Sequence, residues 1–219
     1  MREEEKISKG ILYNPTCPEL VALKKKAHRL SQDFNKLYED ETEKRAAIIQ
    51  ELFSEIGENW AIFSPLRIHY GKHTRIGRNF FSNVNLVIQD DASVTIGDHC
   101  DFGPNTTIVT SLHPMLQNER IAIADCNGKP TRFCHAKPVT IGSRCWFGSN
   151  VTVCPGVTIG NGCVIGAGSV VIHDIPDNCF AAGNPCRVIR ELSEKDSLAN
   201  RPHILADNTI IPEGSQTQG

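Results

Sequence analysis

A mainly β chain wound as a parallel helix of short strands is predicted here by a six-residue hydrophobic step and by the small residues that follow five of its six positions. From Val139 to Val171 the bulky apolar residues Ile141, Phe147, Val153, Ile159, Ile165 and Val171 recur at every sixth position. Gly142, Gly148, Gly160 and Gly166 come directly after four of them; Cys154 is a small exception and Ile172 the outlier. A helix repeats about every 3.6 residues and a flat strand about every 2, so the step requires a backbone that bends after each short strand. That is the mark of a hexapeptide β-helix.

The elements before the repeat read as helices. Leu20, Leu23, Ala27, Leu30, Phe34 and Leu37 fall three and four residues apart between Pro18 and Leu37 and draw one apolar stripe. Asp40 to Gly57 reads as a second helix, with Asp40 and Glu43 at capping-box spacing, Ile48, Ile49, Leu52, Phe53 and Ile56 on its buried side, and Gly57 as its C-terminal cap. Two short helices cannot bury both their faces alone, so they are expected to pack on the β-helix as a cap.

The hexads begin before their cleanest stretch: Ile76-Gly77 and Ile96-Gly97 open hexads, and Phe102 and Ile108 keep step with Ile96. Register fails between Ile76 and Ile96, around Asn83, Asn85, Asp90 and Asp91, and again between Ile108 and Ile141, around His113-Pro114. Stacked coils tolerate extra residues only as loops thrown off a corner, and long loops in compact proteins are usually functional or disordered, so chemistry is expected at both interruptions. Gly183 to Arg187 looks like a turn into a closing strand. The predicted organisation is a helical segment over 1–60, a β-helix over 61–192 with a loop at 110–137, and a polar tail over 193–219, disordered towards its end.

Composition narrows the function. A net charge of −2 offers no general attraction to nucleic acid or acidic membranes. Met1 to Lys6 lacks the apolar core of a signal peptide and no stretch approaches the length of a membrane span, which places the protein in the cytosol. The nine cysteines are odd in number and contain no Cys-x-x-Cys. They read as small apolar filler rather than a disulfide framework or zinc cage. A Cys145–Cys163 disulfide is conceivable, since the two stack if one coil takes three hexads.

Several ordered motifs are similar to those of the hexapeptide-repeat sugar O-acetyltransferases, the family of the galactoside and maltose acetyltransferases and nodulation protein L. They are Asn79-Phe80-Phe81-Ser82-Asn83, Asp90-Asp91, His113-Pro114, Val139-Thr140-Ile141-Gly142 with Trp146-Phe147-Gly148, Gly166-Ala167-Gly168-Ser169, and Ala182 to Ile189. The likeness runs from about Ile7 to Leu192 and includes the helical N-terminal segment. The resemblance implies a left-handed parallel β-helix, a homotrimer with active sites between subunits, acetyl-coenzyme A as donor and no metal.

It also implies roles. An alcohol is a poor nucleophile at neutral pH and must lose its proton as it attacks a thioester, a task for which histidine titrates in the right range. His113 matches the family's catalytic histidine, and Asn83 would stabilise the oxyanion. Asp91 would accept hydrogen bonds from sugar hydroxyls. Phe81 and His69 fall on acceptor positions where relatives can use tyrosine and serine, and Asn14 would stand in for an aspartate at the place Pro15 occupies. Trp146, Ser149, Ala167, Ile172, His173, Arg187 and Arg190 match coenzyme A contacts, the two arginines suiting phosphate. His173 replaces a lysine of some relatives. Direct transfer needs no acyl-enzyme, so no cysteine need act as a nucleophile.

Other readings stay open. Another hydroxylated acceptor, of serine or antibiotic type, would use similar coils. A scaffold subunit would use the fold without chemistry. Zinc chemistry of the γ-carbonic anhydrase type would need three protein ligands, and only His69 and His73 suggest themselves.

Overall fold

The six-residue step becomes a triangular coil in which each turn lays one short strand on each of three sheets. The computed structural model describes residues 1–125, Gly128 and residues 130–210. The first sheet stacks Glu55–Ile56, Thr74–Ile76, Val94–Ile96, Val139–Ile141 and Thr158–Ile159 in parallel. The second runs from Ala61–Ile62 through Phe81–Ser82, Asp101–Phe102, Trp146–Phe147 and Val164–Ile165 to Cys179–Gly183, where Cys186–Glu191 turns back antiparallel and closes it. The third holds Leu66–Ile68, Leu86–Gln89, Thr107–Val109, Thr152–Val153 and Val170–Val171.

All six apolar residues of the clean repeat point inward and are buried. Phe80, Phe102 and Phe147 stack through the middle, with ring centroids 5.2 and 4.5 Å apart. The corners demand particular backbones. Asn85, Asn105 and Asn150 occupy the left-handed region, which asparagine tolerates better than most residues, and their side chains pass hydrogen bonds of 2.8 and 2.9 Å from coil to coil. A Cβ on Gly142 would lie 2.7 Å from the Asn161 backbone nitrogen, so that corner closes only on glycine.

Register explains the two interruptions differently. Ile141 and Ile159 pair 18 residues apart, whereas Ile56 pairs with Ile76 and Ile76 with Ile96 across 20. The first interruption is therefore no loop: wider corners absorb it. Asp90 braces one of them, accepting from Tyr70 N (2.8 Å) and the Thr74 hydroxyl (2.9 Å) while its carbonyl meets His73 Nδ1 at 2.8 Å. Ile96 pairs with Ile141 across 45 residues, so 27 residues leave the coil there. This excursion starts and ends as a hairpin in which Ser111–Leu112 pairs antiparallel with His135–Ala136.

The N-terminal segment supplies α1 (Glu3–Ser8), α2 (Pro18–Phe34) and α3 (Thr42–Leu52). Leu20, Ala27, Ser31 and Phe34 form the buried side of α2. That side covers the open edge of the third sheet. Asn35 accepts from Leu66 N (2.8 Å) and donates to Leu66 O (2.9 Å), taking the place of the missing strand. The buried Arg45 lies 4.1 Å over the Phe34 ring and donates to Ile62 O at 2.6 Å.

Three sequence expectations are corrected here. The first helix ends at Phe34, short of Leu37. The second starts at Thr42 without a side-chain cap, since Glu41 accepts from Tyr38 N and no Asp40–Glu43 box forms. It stops at Leu52 because Ile56-Gly57 already belongs to the first coil, with Gly57 packed against the Arg78 backbone. The tail carries short helical turns at Glu194–Asp196, Leu198–Asn200 and Pro202–Leu205. Its expected disordered end falls partly on residues 211–219, which lie outside the described residues. No helix among the described residues is long and apolar enough to cross a membrane.

Candidate active site

Two groups of predicted site residues form at opposite ends of the third-sheet strands. The first lies where the second sheet turns into the third. Phe81, Asn83, Trp146, Ser149 and Ala167 line one open groove of about 460 Å³ together with Phe180. Trp146 is 57% exposed although its neighbour Phe147 is fully buried, because alternate strand residues face opposite sides of the sheet. Asn83 is oriented by its own chain: its Oδ1 accepts from Val84 N at 2.8 Å. Only an oxygen can accept from that N–H, so the amide orientation follows and Nδ2 is left as a donor without a partner among the described residues.

The second group lies where the third sheet turns back to the first. Asp91 is 2% exposed; one carboxylate oxygen accepts a hydrogen bond from the buried Tyr13 hydroxyl and the other has no partner. The buried Tyr70 hydroxyl has none either. Burial and the Asp91 charge both push the Tyr13 and Tyr70 hydroxyls far up, so both remain protonated donors. His69 packs edge-on against Tyr70, and burial, opposed by Asp91, lowers its pKa, favouring the neutral ring.

His113 sits on the excursion, exposed, with Nδ1 3.4 Å from Phe133 O and 3.6 Å from Cys134 Sγ. The excursion also holds α4 (Gln117–Ala122), which leaves Met115, Leu116 and Ile121 exposed. Asn14 is turned to local use, its Oδ1 accepting from Thr16 N and Oγ1 at 2.9 and 2.7 Å.

The remaining residues expected to contact coenzyme A lie at the C-terminal end of the coils. Ile172 and His173 are exposed after Val170–Val171. Arg187 donates to Cys186 O at 2.8 Å, while Arg190 grips Asp196 through two bonds of 2.7 and 2.6 Å. That pair holds the Asp196 carboxyl at about 2.

Asn83 and His113 do not meet within one chain. The four-residue strand Leu86–Gln89 and its flanks separate their corners by about 15–20 Å at about 3.3 Å per residue. His69 and His73 do not converge either, because the Tyr70 ring lies against both, with centroids 4.5 and 5.3 Å away. Among the described residues no group of three His, Cys, Asp or Glu is placed to hold a metal ion. All eight described cysteines are free thiols. Cys100, Cys145 and Cys163 stack at one corner and donate to the Gly142, Gly160 and Pro176 carbonyls of the following coil at 3.1, 3.1 and 3.0 Å.

The sequence offered no site role for Tyr13 or Tyr70, and Cys134 read only as apolar filler. Neither spacing nor period signals the contact that Tyr13 makes with Asp91, 78 residues away along the chain.

Residues 6–57 match the maltose acetyltransferase hexapeptide capping motif, and residues 138–173 match the bacterial transferase hexapeptide with six repeats. The chain is 43% identical over 192 residues to the galactoside O-acetyltransferase of Escherichia coli (strain K12), covering 88% of this chain and 90% of that one. It is similar to the solved structure of galactoside acetyltransferase in complex with coenzyme A, with a TM-score of 0.83 and 40% identity, covering 97% of this chain and all of the other. It is also similar to a maltose O-acetyltransferase from Clostridium difficile 630, with a TM-score of 0.79 and 38% identity over 89% of this chain and 99% of that one.

Proposed function

The chain belongs to the hexapeptide-repeat sugar O-acetyltransferases, enzymes that depend on acetyl-coenzyme A, and on that premise we propose that it moves acetyl to a sugar hydroxyl by direct attack, with His113 as general base. One observation carries this reading. A single groove unites Asn83, left with a free amide donor, and three of the residues proposed to hold the donor: Trp146, Ser149 and Ala167.

His113 accepts the hydroxyl proton at Nε2 as the sugar oxygen bonds to the thioester carbon. Asn83 Nδ2 donates to the carbonyl oxygen as it gains negative charge, an interaction worth about 3 kcal/mol of barrier in comparable sites. When the carbon–sulfur bond breaks, His113 returns the proton to the leaving sulfur, so none is left over. Asp91, with one unpartnered oxygen, accepts from a further sugar hydroxyl, and Tyr70 offers a donor beside it. Phe81 and His69 line the acceptor side, and Asn14 contributes its amide hydrogens. Ile172, His173, Arg187 and Arg190 complete the donor side.

His113 and Asn83 sit at corners about 15–20 Å apart, too far to act on one carbonyl. They act together when His113 of one copy faces the Asn83 groove of the next, which a homotrimer working in the cytosol repeats three times. The helical segment over 1–60 caps the catalytic coils of 61–192, and 193–219 is an appended tail.

Purified protein with acetyl-coenzyme A is expected to acetylate a galactoside, glucose or maltose, followed by thiol release. His113→Ala is expected to lower turnover at least about 100-fold with donor binding kept. Equal turnover by that variant would remove His113 from the chemistry. Co-expressing His113→Ala with Asn83→Ala tests the shared site. Random trimers contain intact pairs at about a quarter of their sites, so activity recovers towards that fraction, whereas a site built within one chain would show no recovery.

A further inference from the structure

Resting on the reading of His113 as the base, we propose that Cys134 is a positioning residue that fixes the tautomer and tilt of the His113 ring. A base working through Nε2 must keep its ring proton on Nδ1, and the partner of Nδ1 decides whether it does. Two groups compete for that hydrogen. The Phe133 carbonyl is 3.4 Å away, beyond the 2.7–3.2 Å usual for N–H···O. The Cys134 sulfur is 3.6 Å away, an ordinary reach for the larger atom. The thiol is thus the better placed of the two.

Cys134 is itself held. It is 6% exposed and belongs to a small core with Ile7, Tyr13, Leu20 and Tyr70, separate from the core of the coils. Tyr13 N donates to Cys134 O at 2.8 Å and Cys134 N donates to Tyr13 O at 3.1 Å. The Tyr13 hydroxyl reaches on to Asp91 at the coil corner. The base therefore hangs on a chain from coil to N-terminal segment to thiol. Burial pushes that thiol up to about 11, so it stays neutral and orients the imidazole without placing a negative charge behind it.

Nitrogen chemical shifts of the His113 ring, read at pH 8 in wild type, Cys134→Ala and Cys134→Ser, test this together with steady-state kinetics. Wild type is expected to show the Nδ1–H tautomer. Cys134→Ala is expected to show a mixture and to lose about tenfold in kcat while KM for acetyl-coenzyme A holds, because only orientation is lost. Cys134→Ser, with a shorter arm carrying the same kind of donor and acceptor, is expected to recover part of the rate. Unchanged kcat and tautomer in Cys134→Ala, with His113→Ala inactive, would overturn the proposal and leave the base intact. An active His113→Ala would instead remove the base, and the spectra would still decide whether Cys134 orients the ring. If Cys134→Ala does not fold, a wild-type spectrum dominated by Nε2–H is enough to overturn it.

Discussion

Asp91→Asn takes a negative charge away from a place where the side chain is 2% exposed and only one of its two oxygens has a partner. The Tyr13 hydroxyl can donate to an amide oxygen as it does to the carboxylate, so the one existing bond survives. A buried neutral amide nitrogen replaces the unpaired, charged oxygen, so the gain is the difference between the two penalties; an unsatisfied buried group costs about 1–3 kcal/mol, and more when charged. Taking about 2 kcal/mol, and about 2–4 °C per kcal/mol for a chain of this size, the melting temperature rises by about 4–8 °C. The same change weakens a charge-assisted bond to the acceptor worth about 1.5–3 kcal/mol, so kcat/KM for the sugar falls about 10- to 150-fold. KM for acetyl-coenzyme A stays as it was. Thermal unfolding without ligands, beside initial rates at varied sugar, reads both effects. A melting temperature several degrees lower would show that the carboxylate stabilises the fold and refute the reasoning; an unchanged sugar kcat/KM would take Asp91 out of the acceptor pocket.

Two further outcomes are expected. Burial, opposed by hydrogen bonds from Tyr70 and Thr74, pushes the Asp90 carboxyl up to about 6. Its folded-state pKa exceeds its unfolded value, so the group's contribution is fully present below about pH 4 and is lost as pH rises towards about 6. The melting temperature of Asp90→Asn minus that of wild type is therefore expected to grow between pH 4 and 7, and a flat difference would remove Asp90 as the cause. Asp196→Asn frees Arg190 from its carboxylate partner and is expected to lower KM for acetyl-coenzyme A about threefold. A raised KM would mean that the pair holds the arginine in its binding position.

The coil was legible because its period belongs to the chain itself. Ile141, Phe147 and Val153 face inward by local geometry alone, and the glycines after the first two, Gly142 and Gly148, lie where a Cβ would strike the next coil. Helix ends were not legible in the same way. Ile56 suits the buried side of a helix as well as it suits a hexad, and only the pairing with Ile76 decides the matter. The groove residues Asn83 and Trp146 came from motif likeness, and the fold brings them together. Tyr13 and Cys134 stayed hidden because their meeting depends on the N-terminal segment docking onto an excursion more than a hundred residues away.

The excursion leaves the coil after the third-sheet strand Thr107–Val109 and returns to it at Val139–Ile141 of the first sheet, where Val139, Thr140 and Ile141 face Val94, Thr95 and Ile96 as if nothing had intervened. The ladder above and below takes no notice of what was inserted. Closing a loop grows more difficult only with the logarithm of its length, about 0.6 kcal/mol per doubling, so residues can be added to or cut from this segment at little expense to folding. Acceptor choice can drift by lengthening and shortening one strap, while the prism that carries it is inherited whole.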